Sequence, residues 1–173
     1  MSWLRTVIAS VTLLLLPVLA ATASALEPLP APTGAVILTI KGDLGVHNRD
    51  DGSAAFDMAM LKSLPSAGFE TTTIWTDGMQ TFKGVSVADL LARLGATPAE
   101  INAVATNDYE IRFPASDALQ HDALIAYAAN GKPLPPSDKG PLWIVYPYDS
   151  DVALQTERYL SQSVWCLDTI TLH

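Results

Sequence analysis

Glycine or proline ends most of the apolar runs in this chain, and that punctuation keeps its elements short. AVILTIKG is a β-branched run closed by Gly42 and reads as a strand. DDGSAAFDMAMLKSLP reads as a short helix: Asp50, Asp51 and Ser53 offer turn or cap oxygens, Phe56, Met60 and Leu64 recur at helical spacing, and Pro65 stops the run. GFETTTIWT reads as a strand, followed by turn material in TDGMQ. FKGVSVADLLARLGAT gives a second helix, with Ser86 as cap, Asp89 three residues on, Leu90, Leu91 and Leu94 as the apolar face, and Gly95 at the end. INAVATN and YEIRFP are strand-like and meet at Asn107-Asp108, a tight hairpin turn. ALQHDALIAYAANG reads as a third helix ended by Gly131, KPLPPSDKGP as irregular, and WIVYP and SVWCLDTITL as the last two strands. Strands and short helices interleave irregularly, which predicts a mixed α+β domain.

The N-terminus has the layout of a secretory signal. Arg5 supplies the charge, VIASVTLLLLPVLA the apolar run, and Ala23-Ser24-Ala25 the small-x-small cleavage pattern, so residues 1–25 are expected to be removed on export. Pro17 interrupts the run and no basic stop-transfer cluster follows, so no membrane insertion is expected after cleavage. Residues 26–34, LEPLPAPTG, read as a Pro-rich extended tether, and 35–173 as one domain large enough to bury its own core. Cys166 is the only cysteine, so no internal disulfide staples that fold. It sits in the last strand run, where a small buried hydrophobe is the expected role. The net charge of −8, or −9 once Arg5 leaves with the signal, argues against nucleic acid and against anionic lipid.

Several chemistries lack their residues. His47, His121 and His173 stand in no HxxxH or HxH spacing, and the chain contains no GxSxG, GxGxxG, P-loop or paired-cysteine pattern. What does cluster is aromatic rings beside carboxylates or amides: Trp75-Thr76-Asp77, Asn107-Asp108-Tyr109, and Tyr146-Pro147-Tyr148-Asp149. Ring faces stack, and a carboxylate accepts two parallel hydrogen bonds from adjacent N–H groups, the edge that a 2-amino-4-oxo pyrimidine ring presents. Pterins and guanine share that edge, and composition does not separate them.

The order of segments resembles the molybdopterin-binding domain of the sulfite-oxidase type. The resemblance runs from about Val36 to Leu172, and its most specific pieces are F-x-G-V-x-x-x-D-L-L at Phe82 to Leu91 and the NGKPL…KGPLWIVYP run. It implies an α+β fold with a mixed β-sheet or barrel-like core and short helices. In enzymes of that fold a cysteine near the end of the strand that here reads TTTIWTDG ligates molybdenum, and this chain has no cysteine there. TTTIWTDG, NDY and KGPLWIVYPYD are more closely similar to the exported, metal-free branch, the PruR-like periplasmic pterin-binding proteins.

That resemblance implies a non-enzymatic periplasmic protein that binds a reduced pterin such as tetrahydromonapterin, without molybdenum. Its implied partner is the periplasmic part of an inner-membrane protein with cyclic-di-GMP synthesis and degradation (GGDEF/EAL) domains. Trp75 or Tyr148 would stack on the ring. Asp77, Asp108 or Asp149 would take its amino edge, and Thr73, Thr76, Asn107 or Tyr109 would complete the polar rim. Lys139 and Arg158 are candidates for the ligand's side chain or the partner surface. Trp143 and Trp165 are expected in the core. The competing expectations are a molybdopterin-dependent oxidoreductase and a ligand-free periplasmic adaptor.

Overall fold

The computed structural model describes residues 26–173, so the export signal expected at 1–25 lies outside the described residues. The first sheet is built on β1 (Val36–Lys41), whose alternation buries Leu38 and Ile40. It lies between β2 (Ala54–Asp57), which pairs with it antiparallel, and β10 (Leu167–Leu172), which runs parallel to it. The sheet continues through β5 (Glu100–Ala105) to β6 (Glu110–Pro114). The second sheet runs β3 (Ala67–Thr71), β4 (Gln80–Ser86), β7 (Leu124–Ala129), β8 (Lys132–Pro133), with β9 (Trp143–Val145) also pairing with β7. The helices are short: α1 (Met58–Ser63), α2 (Val87–Leu94), α3 (Ala115–Gln120) and α4 (Glu157–Ser161). The α+β class stands, and the sheets are open, with no closed barrel among the described residues. No helix among those residues is long and apolar enough to cross a membrane.

The signals around α2 are realised as read. The Ser86 hydroxyl accepts from the Asp89 N–H at 2.9 Å and donates to its carboxylate at 2.6 Å. Gly95 takes φ of 62°, and the Ala96 N–H reaches back to the Leu91 carbonyl, the bond that closes a Schellman ending. The stretch before the cap, read as part of this helix, is β4. Its Phe82, Gly84 and Val85 pair with β7 and belong to the sheet. Asn107 and Asp108 do turn the β5–β6 hairpin, Asp108 at φ of 65° in the left-handed region that Asp tolerates.

Four other expectations are corrected. Residues 54–57 are a strand, not the start of a helix; all four are buried, and Asp57 rather than an upstream residue caps α1. Asp51 takes the turn role, one of the two read for it, accepting from the Ser53 N–H and hydroxyl. The third helix is confined to Ala115–Gln120, and LIAYAA is β7, paired with β4 on one side and with β8 and β9 on the other. A strand apolar on both faces shows no alternation, which leaves it indistinguishable from a buried helix by pattern alone. The strand read through Thr76 ends at Thr71, where its pairing with Gln80 stops. Finally, β10 starts at Leu167, and Cys166 precedes it half-buried at φ of 52°, its Sγ 3.4 Å from the Asp138 carbonyl.

Segment 26–34 is extended and lies along the domain: Leu29 is buried, and Arg93 donates to the Glu27 and Pro28 carbonyls. Its end is anchored by Asp57, which accepts from the backbone N–H groups of Thr33 and Gly34 as well as Met60. Those N–H groups, Met60 first, hold the Asp57 carboxyl below its ordinary value. A depressed folded value means a contribution to stability present above about pH 4 and lost as acid titrates the carboxylate below that. Asp57→Asn is therefore expected to flatten the acid limb of the Tm–pH curve, with its largest Tm deficit at neutral pH. A deficit unchanged between pH 7 and pH 3 would contradict this.

Candidate functional site

After Thr71 the chain leaves its sheet and turns through Thr72 to Asp77. Asp149 fixes the exit by accepting from the Thr72 N–H at 2.6 Å and hydroxyl at 2.7 Å, contacts that hold its carboxyl below the ordinary range. The Thr73 and Thr76 hydroxyls bond each other at 2.7 Å, and the Trp75 N–H donates to Thr73, closing a tight loop. That loop presents the half-buried Trp75 to three rings in edge-to-face geometry: Trp165 at 5.4 Å, Trp143 at 5.8 Å and Tyr148 at 6.2 Å. Such contacts fix the indole without covering all of it.

The exposed side of Trp75 borders a cavity of about 430 Å³. Ile74 and Trp75 form one wall and Val164 and Trp165, at the entry to β10, another; Asn107 and Tyr109 of the β5–β6 hairpin and α4 complete it. The Tyr109 hydroxyl donates to the Ser161 carbonyl at 2.8 Å and so ties the hairpin to α4. From beneath, α4 is held by Asp117, a buried carboxylate that takes two bonds from Arg158 at 2.6 and 2.8 Å and one from Gln162. Gln162 in turn accepts from the buried Tyr146 hydroxyl. Tyr148 bonds Ser163 and is itself buried, which pushes its hydroxyl up to about 12. The volume is within the range of small-molecule sites, and the surface is mostly aromatic and aliphatic with a few polar groups, the usual composition of such sites.

The residues singled out from the sequence fall into groups. Trp75, Asn107 and Tyr109 meet at this cavity. Thr73, Tyr148 and Asp149 line an adjoining hollow of about 220 Å³ that shares Ile74 and Leu160 with it. Thr76 and Lys139 line a separate cleft of about 300 Å³ together with Trp143. Asp77 and Asp108 are exposed and line none of the three, and Arg158 is committed to Asp117. Trp143 is buried as expected, and its indole N–H is the one buried side-chain donor without an acceptor among the described residues. Trp165 corrects its expectation: it is half-buried and lines the cavity. Glu157, Leu160 and Ser161 carried no sequence signal, because a five-residue helix shows no apolar period.

The donor set at the strand end is hydroxyl, not thiol. Thr71 to Thr73 occupy it, and Thr72 is already spent on Asp149. Cys166 is anchored elsewhere, its N–H on the Lys139 carbonyl and its Sγ against that of Asp138. Among the described residues no three His, Cys, Asp or Glu side chains gather as metal donors.

Comparison with known proteins agrees with this architecture. No curated protein sequence matches the chain. Among solved structures it is similar to the sulfane dehydrogenase SoxCD from Paracoccus pantotrophus, with a TM-score of 0.59 and 16% identity over 79% of this chain and 37% of that one. At that identity the likeness speaks for the fold, and the chain spans little more than a third of the dehydrogenase. Residues 43–150, from the loop after β1 to the turn after β9, match the family described as oxidoreductase molybdopterin binding domain, and the chain belongs to that family.

Proposed function

We propose that this domain is a pterin receptor: an exported, periplasmic binding protein whose ligand is a reduced pterin such as tetrahydromonapterin. The observation that carries the reading is the aromatic-walled cavity at Trp75, built where the strand end offers hydroxyls in place of a thiolate. A family named for binding molybdopterin supports a pterin-type ligand. The side chains at the strand end, hydroxyls in place of a thiol, do not fit a thiolate-held molybdenum. A pterin ring needs only stacking surface and edge acceptors, and both line this cavity. Trp75 and Trp165 supply the rings, and Asn107 and Tyr109 the polar rim from the expected set.

A receptor signals through differential affinity, so the partner must distinguish the loaded from the empty protein. The β5–β6 hairpin and α4 both border the cavity and both reach the surface, so an occupant changes a surface that a partner can read. The partner in this reading is the periplasmic domain of an inner-membrane GGDEF/EAL protein, with Lys139 and the rim of α4 as candidate contacts. Its support is the PruR-like resemblance of TTTIWTDG, NDY and KGPLWIVYPYD and the export signal read at 1–25.

The test is anaerobic calorimetric titration of the purified protein with tetrahydromonapterin, with the oxidised pterin and guanosine as controls. One-to-one saturable binding, tighter for the reduced pterin than for either control, is the expected result. Absence of heat with all three would move the reading to a ligand-free adaptor.

A further inference from the structure

The sequence offers three aspartates for the ligand's amino edge, and none of them lines the Trp75 cavity. Asp149 is spent on Thr72, and Asp108, at the tip of the hairpin, and Asp77 both lie exposed outside the lining. One acidic residue does line the cavity: Glu157, the first residue of α4. Its carboxylate has no hydrogen-bond or ion-pair partner among the described residues, although its neighbour Arg158 is locked on Asp117. The backbone that carries it is held at three points. Arg158 grips α3 through Asp117, Tyr159 is buried against Tyr146, and the Ser161 carbonyl takes the Tyr109 hydroxyl. Glu157 is exposed at the rim, and its carboxylate, on a fixed backbone and without an internal partner, is available to an incoming pair of N–H donors, with only its own side-chain rotamers left to order.

We infer that Glu157 is the specificity-determining residue of the cavity, the acceptor that reads the 2-amino group and N3–H of the pterin ring. The inference rests on the pterin-receptor reading and adds to it the atom group that tells a 2-amino ring from a 2-oxo ring. Two carboxylate oxygens accept in parallel from two N–H groups. Against a 2,4-dioxo ring (lumazine) one of those donors becomes a carbonyl, which faces the carboxylate oxygen acceptor to acceptor. A glutamine at the same place presents one acceptor and one donor. It therefore matches the N3–H and 2-oxo edge of lumazine and sets an N–H against an N–H of the pterin.

The experiment is calorimetric titration of the protein and of Glu157→Gln with tetrahydropterin and tetrahydrolumazine under anaerobic conditions. Thermal melts of both proteins are compared to confirm equal folding. The wild type is expected to prefer the 2-amino ring by roughly ten- to hundredfold, the span that one or two mismatched hydrogen-bond partners produce. Glu157→Gln is expected to abolish or invert that preference at an unchanged Tm. If the wild type prefers the 2-amino ring and the variant keeps the same preference, or weakens both rings equally, Glu157 does not read the edge and the receptor reading survives without it. If the wild type binds neither ring, the receptor reading itself fails and this inference falls with it.

Discussion

Alanine at Gly84 is expected to cost about 3 kcal/mol of stability, enough to lower the urea midpoint by a molar unit or more in a domain of this size. The cause is proximity rather than dihedral angle. Gly84 pairs with Ala126 across β4 and β7, and an added Cβ would fall on the Ile125 carbonyl oxygen and lie 2.7 Å from the Ala126 Cα. Both obstacles are backbone of a central strand that is paired on both sides, so neither can move aside without disturbing the sheet. Gly131 provides the contrast. It sits at φ of 74° with open space around its Cβ position, so alanine there is expected to cost only the left-handed penalty of about 1–2 kcal/mol. Equal costs at the two glycines would contradict the close-packing account of β4.

Trp75→Ala is expected to weaken pterin binding by about ten- to hundredfold, as measured by anaerobic calorimetry, through loss of the stacking face and of apolar area. It is also expected to lower stability by about 1–3 kcal/mol, because Trp75 packs edge-on against Trp143, Tyr148 and Trp165. Trp75→Phe retains a ring and part of that packing, and is expected to fall between the variant and the wild type on both scales. Binding unchanged in Trp75→Ala, in protein that still melts cooperatively, would place the ligand elsewhere.

The parts of the fold that the sequence made legible are those where a local chemical device decides the backbone. Ser86 with Asp89, Gly95 and the Asn107-Asp108 turn each satisfy or redirect backbone groups with their own atoms, and each is found where it was read. The F-x-G-V-x-x-x-D-L-L signature of Phe82 to Leu91 combines several of these. Phe82 packs on Trp143 and Phe69, Gly84 admits β7, Ser86 caps, and Leu90 and Leu91 are the buried face of α2. Tertiary burial overrode the pattern at Ala54–Asp57 and Leu124–Ala129, where both faces of a strand are covered.

The site was legible in part for the same reason. Trp75, Asn107 and Tyr109 sit at turns, where polar and aromatic residues have few structural reasons to be together, and the fold gathers them. None of the aspartates lines the cavity: Asp149 is taken by a long-range bond to Thr72, and Asp77 and Asp108 lie exposed at their turns. Glu157 and Trp165 come from 157–165, where α4 is too short for a period and Trp165 resembles any strand aromatic. Tertiary ties, through Asp117, Tyr109, Tyr146 and Tyr148, bring that segment to the cavity.

The central claim is that the pterin ring lies in the Trp75 cavity, and the most direct test is a crystal structure of the protein grown anaerobically with tetrahydromonapterin. The account predicts ring density in the cavity, against the exposed face of Trp75 and beside Trp165, with the amino edge on Glu157 and the Tyr109–Ser161 tie intact. Density for the ring in the cleft of Trp143 and Lys139 instead, or a Trp75 cavity that stays filled with solvent at saturating ligand, would contradict it.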